Sequence, residues 1–337
     1  MDPAPPLPYA ANFNGTRAGK VDKASRGKLR RLRTACGAAL LIAGTLAPAT
    51  PVLAQQPPAQ PPAPAEQPPA AEDQIVVMGM RDKIEAIEEY VSDLTILDTD
   101  DPLSRYQKDQ YCPAVLGLKP ERNAEIAARM RAVAAAADIR PAKEGCAPSA
   151  LVIFVANKKS FLEEFRKQHP VYFANLQGKM EPRPEEAGPA TAWHLVQLLD
   201  PQGMPIQRDP MGGFGVVESS TRGSRILSMV QPVVAMSVVV VERSALIGLT
   251  PTQIADYALM RSLTDRSPDK LEVPRTLTIL GALTAPMGSA VPSSLTAWDL
   301  SYLKGRYSGH PSRYGRSQGA AIRRQMRREL ARPDDKE

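Results

Sequence analysis

Histidine is the side chain most often used to move a proton or hold a transition metal near neutral pH. The chain has three, His169, His194 and His310. None has a second histidine four residues away, and there is no H-E-x-x-H, so the two ligands that a zinc peptidase places one helical turn apart are missing. His194 follows Trp193 in a strand-like run, while His169 and His310 each precede a proline, at a helix end and in a loop. Serine chemistry fares no better. There is no G-x-S-x-G elbow. Ser289 lies in the small-residue, proline-bracketed stretch Ala285 to Ser294 as a candidate nucleophile. Without a histidine partner, that stretch reads as a tight buried loop. Gly212-Gly213-Phe214-Gly215 is glycine-rich, but no helix follows to hold a phosphate, and a hairpin turn is expected. No residue is therefore assigned to catalysis, cofactor binding or metal binding.

The cysteines say more. Of three, Cys36 lies at the start of an apolar N-terminal segment, preceded by Leu-Arg-Thr-Ala rather than the apolar stretch that lipidation requires. Cys112 and Cys146 remain, an even pair that reads as one disulfide in an oxidising compartment. Closing that loop stabilises by roughly 3–4 kcal/mol on the chain-entropy view. The spacing is far from the C-x-x-C of redox proteins, so a staple is expected.

The compartment is set by residues 28 to 54. Lys28, Arg30, Arg31 and Arg33 form a basic run, Ala35 to Ala47 carries no charge, and Pro51-Val52-Leu53-Ala54 ends on small residues. These are the three parts of an export signal, with cleavage expected between Ala54 and Gln55. The apolar run is too short for a membrane span, and Leu-Arg-Thr after Arg30-Arg31 is a poor match to twin-arginine export, which favours general secretion. The net charge of +6 follows the same segment. Residues 1–54 hold eight Lys/Arg and two Asp/Glu out of totals of 42 and 36, which leaves 34 of each in the mature chain. A neutral mature chain has no electrostatic footprint for nucleic acid.

Gln55 to Asp73 has seven prolines in 19 residues and reads as an extended linker, reaching on the order of 60 Å. Residues 74–332 follow, one large domain or two closely packed ones divided near 180–190, with a short tail at 333–337. Ile75 to Met78 reads as a strand. Ile84, Ile87, Val91 and Leu94 recur at helical spacing. Pro120 opens a helix over 121–137 with Ile126, Met130 and Val133 inward. Leu151 to Val155 reads as a strand buried on both faces, and Asn157 caps a helix to about Gln168. Strands are expected at 191–199, 215–218, 225–229 and 235–242. Thr250-Pro251 begins a helix to Leu263, Thr296 with Asp299 forms a capping box opening a helix to about Arg306, and 317–330 is the last helix. Its arginines 323, 324, 327 and 328 read as a solvated flank.

The strand Val238 to Val241, the helix from Thr250 to Leu263 and the run Ser294-Leu295-Thr296-Ala297-Trp298-Asp299-Leu300 through Tyr307 resemble the C-terminal half of an uncharacterised family of exported bacterial proteins. That family is suspected of zincin-like peptidase activity. The resemblance implies a zincin-like arrangement. Yet the helix that would carry the metal ligands reads Gln253-Ile254-Ala255-Asp256-Tyr257, without histidine, so no zinc would lower the pKa of a water there. Cys112-Pro113 and Gly145-Cys146-Ala147-Pro148 resemble a narrower family of exported proteins of unknown function. Asp73 to Arg81 resembles the extended box of TonB-coupled outer-membrane receptors, although no barrel follows it and a first strand of the domain is the simpler reading.

The expectation is an α+β domain with a mixed or antiparallel central sheet and flanking helices, periplasmic or secreted after cleavage, with no transmembrane span in the mature chain. Its function reads as a non-catalytic binding or accessory role toward a cell-envelope protein or polymer. The alternative is a hydrolase related to zincins with an unrecognised site.

Overall fold

The computed structural model describes residues 80–97, 101–173, 187–206 and 224–330, apart from 265, 269, 270 and 287. The cleavage site at Ala54–Gln55, the proline-rich linker, the expected strands at 75–78 and 215–218 and the glycine run at 212–215 lie outside those residues. Asp73–Glu337 is one compact unit, and the other, Met1–Glu72, also lies outside the described residues.

The described elements are α1 (Met80–Leu94), β1 (Pro113–Leu116), α2 (Pro120–Ala136), β2 (Ala150–Val155), α3 (Lys158–Gln168), β3 (Ala190–Leu199), β4 (Gln231–Glu242), α4 (Pro251–Leu263), α5 (Ala297–Tyr307) and α6 (Gly315–Leu330). The fold is α+β with a mixed sheet. β2 is buried along its whole length, as its unbroken apolar run requires. Strand order is β1-β2-β4-β3; β1, β2 and β4 are parallel and β3 runs antiparallel to β4, with a bulge at Leu195/Val196.

Because side chains alternate along a strand, the sheet serves two cores. Val152, Phe154, Val239 and Val241 join the larger core with buried residues of α1, α2, α4, α5 and α6. Leu151, Ile153, Val155, Trp193, Leu195, Val238 and Val240 face the other side, covered by α3 and the 3-10 turn Pro170–Tyr172. Among the described residues, the sheet thus has a thick side of five helices and a thin side of one.

Helix boundaries follow local chemistry. α2 ends in a Schellman motif: Ile139 N–H donates to Ala134 O and Asp138 N–H to Ala135 O, with Asp138 at φ 61°. Thr250 and Thr296 both open capping boxes, with Gln253 and Asp299 as the reciprocal partners. Two glycines permit close approach. A Cβ on Gly117, at φ +96°, would sit 2.0 Å from Phe154 O, and one on Gly305 would sit 2.8 Å from Ile322 Cα, where α5 crosses α6.

Some expectations need correction. The 225–229 segment is not a strand; only Leu227 makes an isolated bridge, to Arg313. β4 starts at Gln231 rather than Ala235. Pro232 is accommodated there because β2 pairs with β4 only from Ser237 onward. β1 is a further strand, whose four residues beginning with a proline are too short to show a strand pattern. α1 begins at Met80, and its inward stripe is Ile87, Tyr90, Val91 and Leu94, while Ile84 is 38% exposed. Among the described residues no helix is long and apolar enough to cross a membrane.

Candidate functional site

Among the described residues two aspartates are fully buried, and each holds the connection between α4 and α5. Asp256, on α4, accepts from Arg129 Nε at 2.8 Å and Nη2 at 2.9 Å, and from Leu295 N–H at 2.7 Å. The fork of the guanidinium on the carboxylate suits bidentate pairing, and the hydrogen bond to Asp256 raises the pKa of Arg129. Asp299, at the start of α5, has no cation among its hydrogen-bond donors. Its Oδ1 accepts from the hydroxyls of Tyr90 (2.6 Å) and Thr278 (2.7 Å), and its Oδ2 from Ile279 N–H (2.9 Å), Thr296 N–H (3.1 Å) and the Thr296 hydroxyl (3.0 Å). Burial raises its pKa above the ordinary value, and the hydrogen bonds act against that rise. Burial and the neighbouring Asp299 push the Tyr90 hydroxyl well up as well.

The buried arginines are satisfied mainly by carbonyl oxygens. Arg105 donates to Arg306 O, Ser308 O and Gly309 O at 3.0–3.2 Å, placing a cation against the C-terminal end of α5, where the helix dipole favours it. Arg306 returns the contact to Ser104 O at 2.7 Å. Burial lowers the pKa of Arg105. On α6, Arg323 and Arg327 both pair with Glu88 of α1 and fasten the two helices together, while Arg324 and Arg328 are exposed and Arg327 keeps 43% of its side-chain surface in solvent.

The histidines are placed on three different elements. His169 ends α3, its ring 5.4 Å from that of Phe165; His194 lies in β3 opposite Ser237 of β4; His310 follows α5 and accepts the Ser312 N–H at Nδ1. Among the described residues no group of three or more His, Cys, Asp and Glu is arranged to hold a metal ion. The α4 residues that stand where the resemblance would put ligands are occupied structurally: Gln253 is the capping-box partner and donates to Pro292 O, and Asp256 is held by Arg129. Ser289 donates its N–H to Pro286 O in a turn whose neighbours 288–290 are exposed, which corrects the expectation of a buried loop.

Cys112 and Cys146 form a disulfide, with Cα atoms 6.2 Å apart. Cys112 leads into β1 and is tied on both sides: its N–H donates to Ser149 Oγ, and its carbonyl accepts from Ser149 and Ala150 N–H. Arg131 of α2 reaches the same corner.

The thin side of the sheet is where unusual surface chemistry gathers. Phe161 stacks on Phe165 (5.2 Å), Phe165 on Tyr172 (5.3 Å), and Phe173 on Trp193 (5.1 Å), while the Arg166 guanidinium lies 5.1 Å over Phe173. Phe173 and Trp193 are buried against the sheet, but Phe161, Phe165 and Tyr172 are only half-buried, and α3 has no fully buried residue. Offset aromatic faces with cationic side chains beside them offer stacking and cation–π contacts to a ligand. Lys158 packs at the same helix start, its N–H held by Glu242 and its ammonium by the carbonyl of Gly188. Phe161, Leu162 and Phe165 share one face at helical spacing, and such spacing shows which face is apolar but not how deeply it is covered; all three are half-buried.

Compared with known proteins, the chain matches no family model, no curated protein and no solved structure.

Proposed function

We propose that this chain is an exported periplasmic or cell-envelope protein that works by binding, as a partner or accessory to another envelope protein or polymer, and not by catalysis. The basic, apolar and small-residue sequence of residues 28–54 supports export, and the Cys112–Cys146 disulfide is compatible with an oxidising compartment. The observation that carries the binding reading is the half-buried aromatic layer of Phe161, Phe165 and Tyr172 on the thin side of the sheet. Aromatic side chains bury large area at small entropic cost and dominate recognition surfaces. The polar groups capable of chemistry are meanwhile engaged in holding loops and helix ends, as Asp256, Asp299 and Arg105 are.

The test is mild crosslinking of the full chain in intact envelopes, followed by recovery. A defined partner is expected, with capture falling about tenfold or more in the double variant Phe161→Ala, Phe165→Ala. Capture unchanged by that variant, or a hydrolytic activity of the pure protein that disappears in His194→Ala, would turn the reading over to the hydrolase alternative.

A further inference from the structure

Arg131 stands where it does most for a disulfide that opens. From the middle of α2 its Nη1 donates to Ala142 O at 2.5 Å and its Nη2 to Lys143 O at 3.3 Å, which ties the 142–146 loop to the helix. The same Nη2 lies 2.8 Å from Cys146 Sγ and 3.8 Å from Cys112 Sγ. A disulfide sulfur is neutral and a weak acceptor, so the cation gains little from it. A thiolate is stabilised strongly by an adjacent guanidinium. The contact favours the products of reduction over the intact bond.

The two sulfurs are not equivalent. Cys112 is 4% exposed and its backbone is fixed by Ser149 and Ala150. Cys146 is half-buried in a loop whose Lys143, Glu144, Gly145, Ala147 and Pro148 are exposed, and nothing lies within 4 Å of a Cβ built on Gly145. An incoming nucleophile therefore reaches Cys146. The charged groups beside it in its own loop, Lys143 and Glu144, are exposed and opposite in sign. Tyr111, next to Cys112, is buried, and that burial keeps its hydroxyl protonated. Arg131 is then the charge that sets the thiol chemistry.

The geometry points to Cys112–Cys146 as a thiol–disulfide exchange site that takes electrons from an external dithiol, small-molecule or protein. A thiolate of the dithiol attacks Cys146 Sγ, the S–S bond breaks, and its electron pair leaves on Cys112 Sγ beside Arg131. The second thiolate of the donor attacks the donor sulfur of the mixed disulfide and releases Cys146 as a thiolate against the same guanidinium. The donor, having lost its two thiol protons to solvent, ends as a disulfide, and the protein gains two electrons as two thiolates that take up protons from solvent to give the dithiol. A lower pKa of the leaving thiol speeds each departure. Arg131 acts here as a positioning residue, and it retains the loop carbonyls of Ala142 and Lys143 so that the pair closes again on oxidation.

The experiment uses the full chain, with dithiothreitol as the reductant, and compares wild type, Arg131→Met and Arg131→Lys. It measures the rate of native-state reduction, then the pH profile of iodoacetamide alkylation at each cysteine by mass spectrometry. In wild type, at least one thiol is expected to react with a midpoint about one pH unit below the ordinary value of ~8.5. Arg131→Met should return that midpoint to ~8.5 and slow reduction about fivefold or more, while Arg131→Lys keeps most of the shift. A purely structural Arg131 would change stability and leave both midpoints where they were. Matching profiles in wild type and Arg131→Met, or a wild-type disulfide reduced only after denaturation, would overturn the proposal. If Arg131→Met does not fold, the wild-type profile decides: midpoints at or above ~8.5 for both thiols reject it.

Discussion

Asp256 and Asp299 solve the same problem in different ways. Both carboxylates are fully buried, both sit on helices of the thick side, and both hold the irregular chain between α4 and α5, through Leu295 N–H in one case and Ile279 and Thr296 N–H in the other. Asp256 is answered by a guanidinium that keeps 38% of its side-chain surface in solvent. Asp299 is answered by hydroxyls and backbone N–H groups alone. The first arrangement is an ion pair at a seam between α2 and α4, while the second is a polar knot that joins α1, the 277–279 turn and α5. Donors without charge suffice to bury a carboxylate, but the balance between its ionised and protonated forms is then closer. The two sites should differ in how much they resist truncation and in how they respond to pH.

The largest effect is expected at the knot. Asp299→Ala removes the acceptor for two backbone N–H groups and two buried hydroxyls and breaks the α5 capping box, at a cost of about 3–5 kcal/mol. Urea unfolding of the mature chain measures it directly. A loss under ~1 kcal/mol would mean that water or a rearranged Thr278 replaces the carboxylate, and the contrast with Asp256 would collapse.

Second in size is Arg129→Met. It strips the cation from Asp256 but leaves the Leu295 N–H in place, and Arg129 is partly solvated, so the cost is discounted to about 2–3 kcal/mol from the value for a fully buried pair. The same denaturation experiment ranks the two sites. If Arg129→Met costs more than Asp299→Ala, charge pairing rather than donor count holds the connection.

The contrast also shows which parts of the molecule were readable in advance. The knot announced itself locally, because Thr296 and Asp299 stand three residues apart before an apolar helix, and that spacing alone predicts the capping box. The disulfide followed from two remaining cysteines and an oxidising destination. The Asp256–Arg129 pair had no such signal. Its members lie 127 residues apart, and each is an ordinary polar residue on its own helix until α2 and α4 pack together. Arg131 at the disulfide and Arg105 at the end of α5 were hidden for the same reason. The sheet was read well where apolar runs were long, as in β2 and the second half of β4. It was missed at β1, where four residues beginning with Pro113 give little pattern, and at the start of β4, where Pro232 argues against a strand that tertiary pairing nonetheless supplies. The thin side was readable as apolar, but its half-burial depends on which elements pack over it, and that is set by tertiary structure.

The smallest effect sharpens the comparison most, because it asks whether Asp299 needs its charge. The two oxygens differ. Oδ2 faces the backbone N–H groups of Ile279 and Thr296, which can only donate, while Oδ1 meets the hydroxyls of Tyr90 and Thr278, which can turn to accept. A proton or an amide NH2 on the Oδ1 side can therefore be accommodated, and Asp299→Asn should cost only about 1 kcal/mol or less near neutral pH. The pH dependence follows from the same geometry. Burial raises the folded-state pKa of Asp299 above 3.8, so over the interval from 3.8 upward the folded protein holds this proton more tightly than the unfolded chain. Stability from the group is then fully present below 3.8 and declines as pH rises through the folded value. Other carboxylates titrate in that range too, so the informative quantity is the stability of wild type minus that of Asp299→Asn, from urea unfolding at several pH values from acid to neutral. That difference is expected to favour wild type most at the acid end and to shrink toward neutrality. A difference that grows with pH would show that the hydrogen bonds outweigh burial and that Asp299 is held as a carboxylate, in which case the two buried aspartates are alike after all.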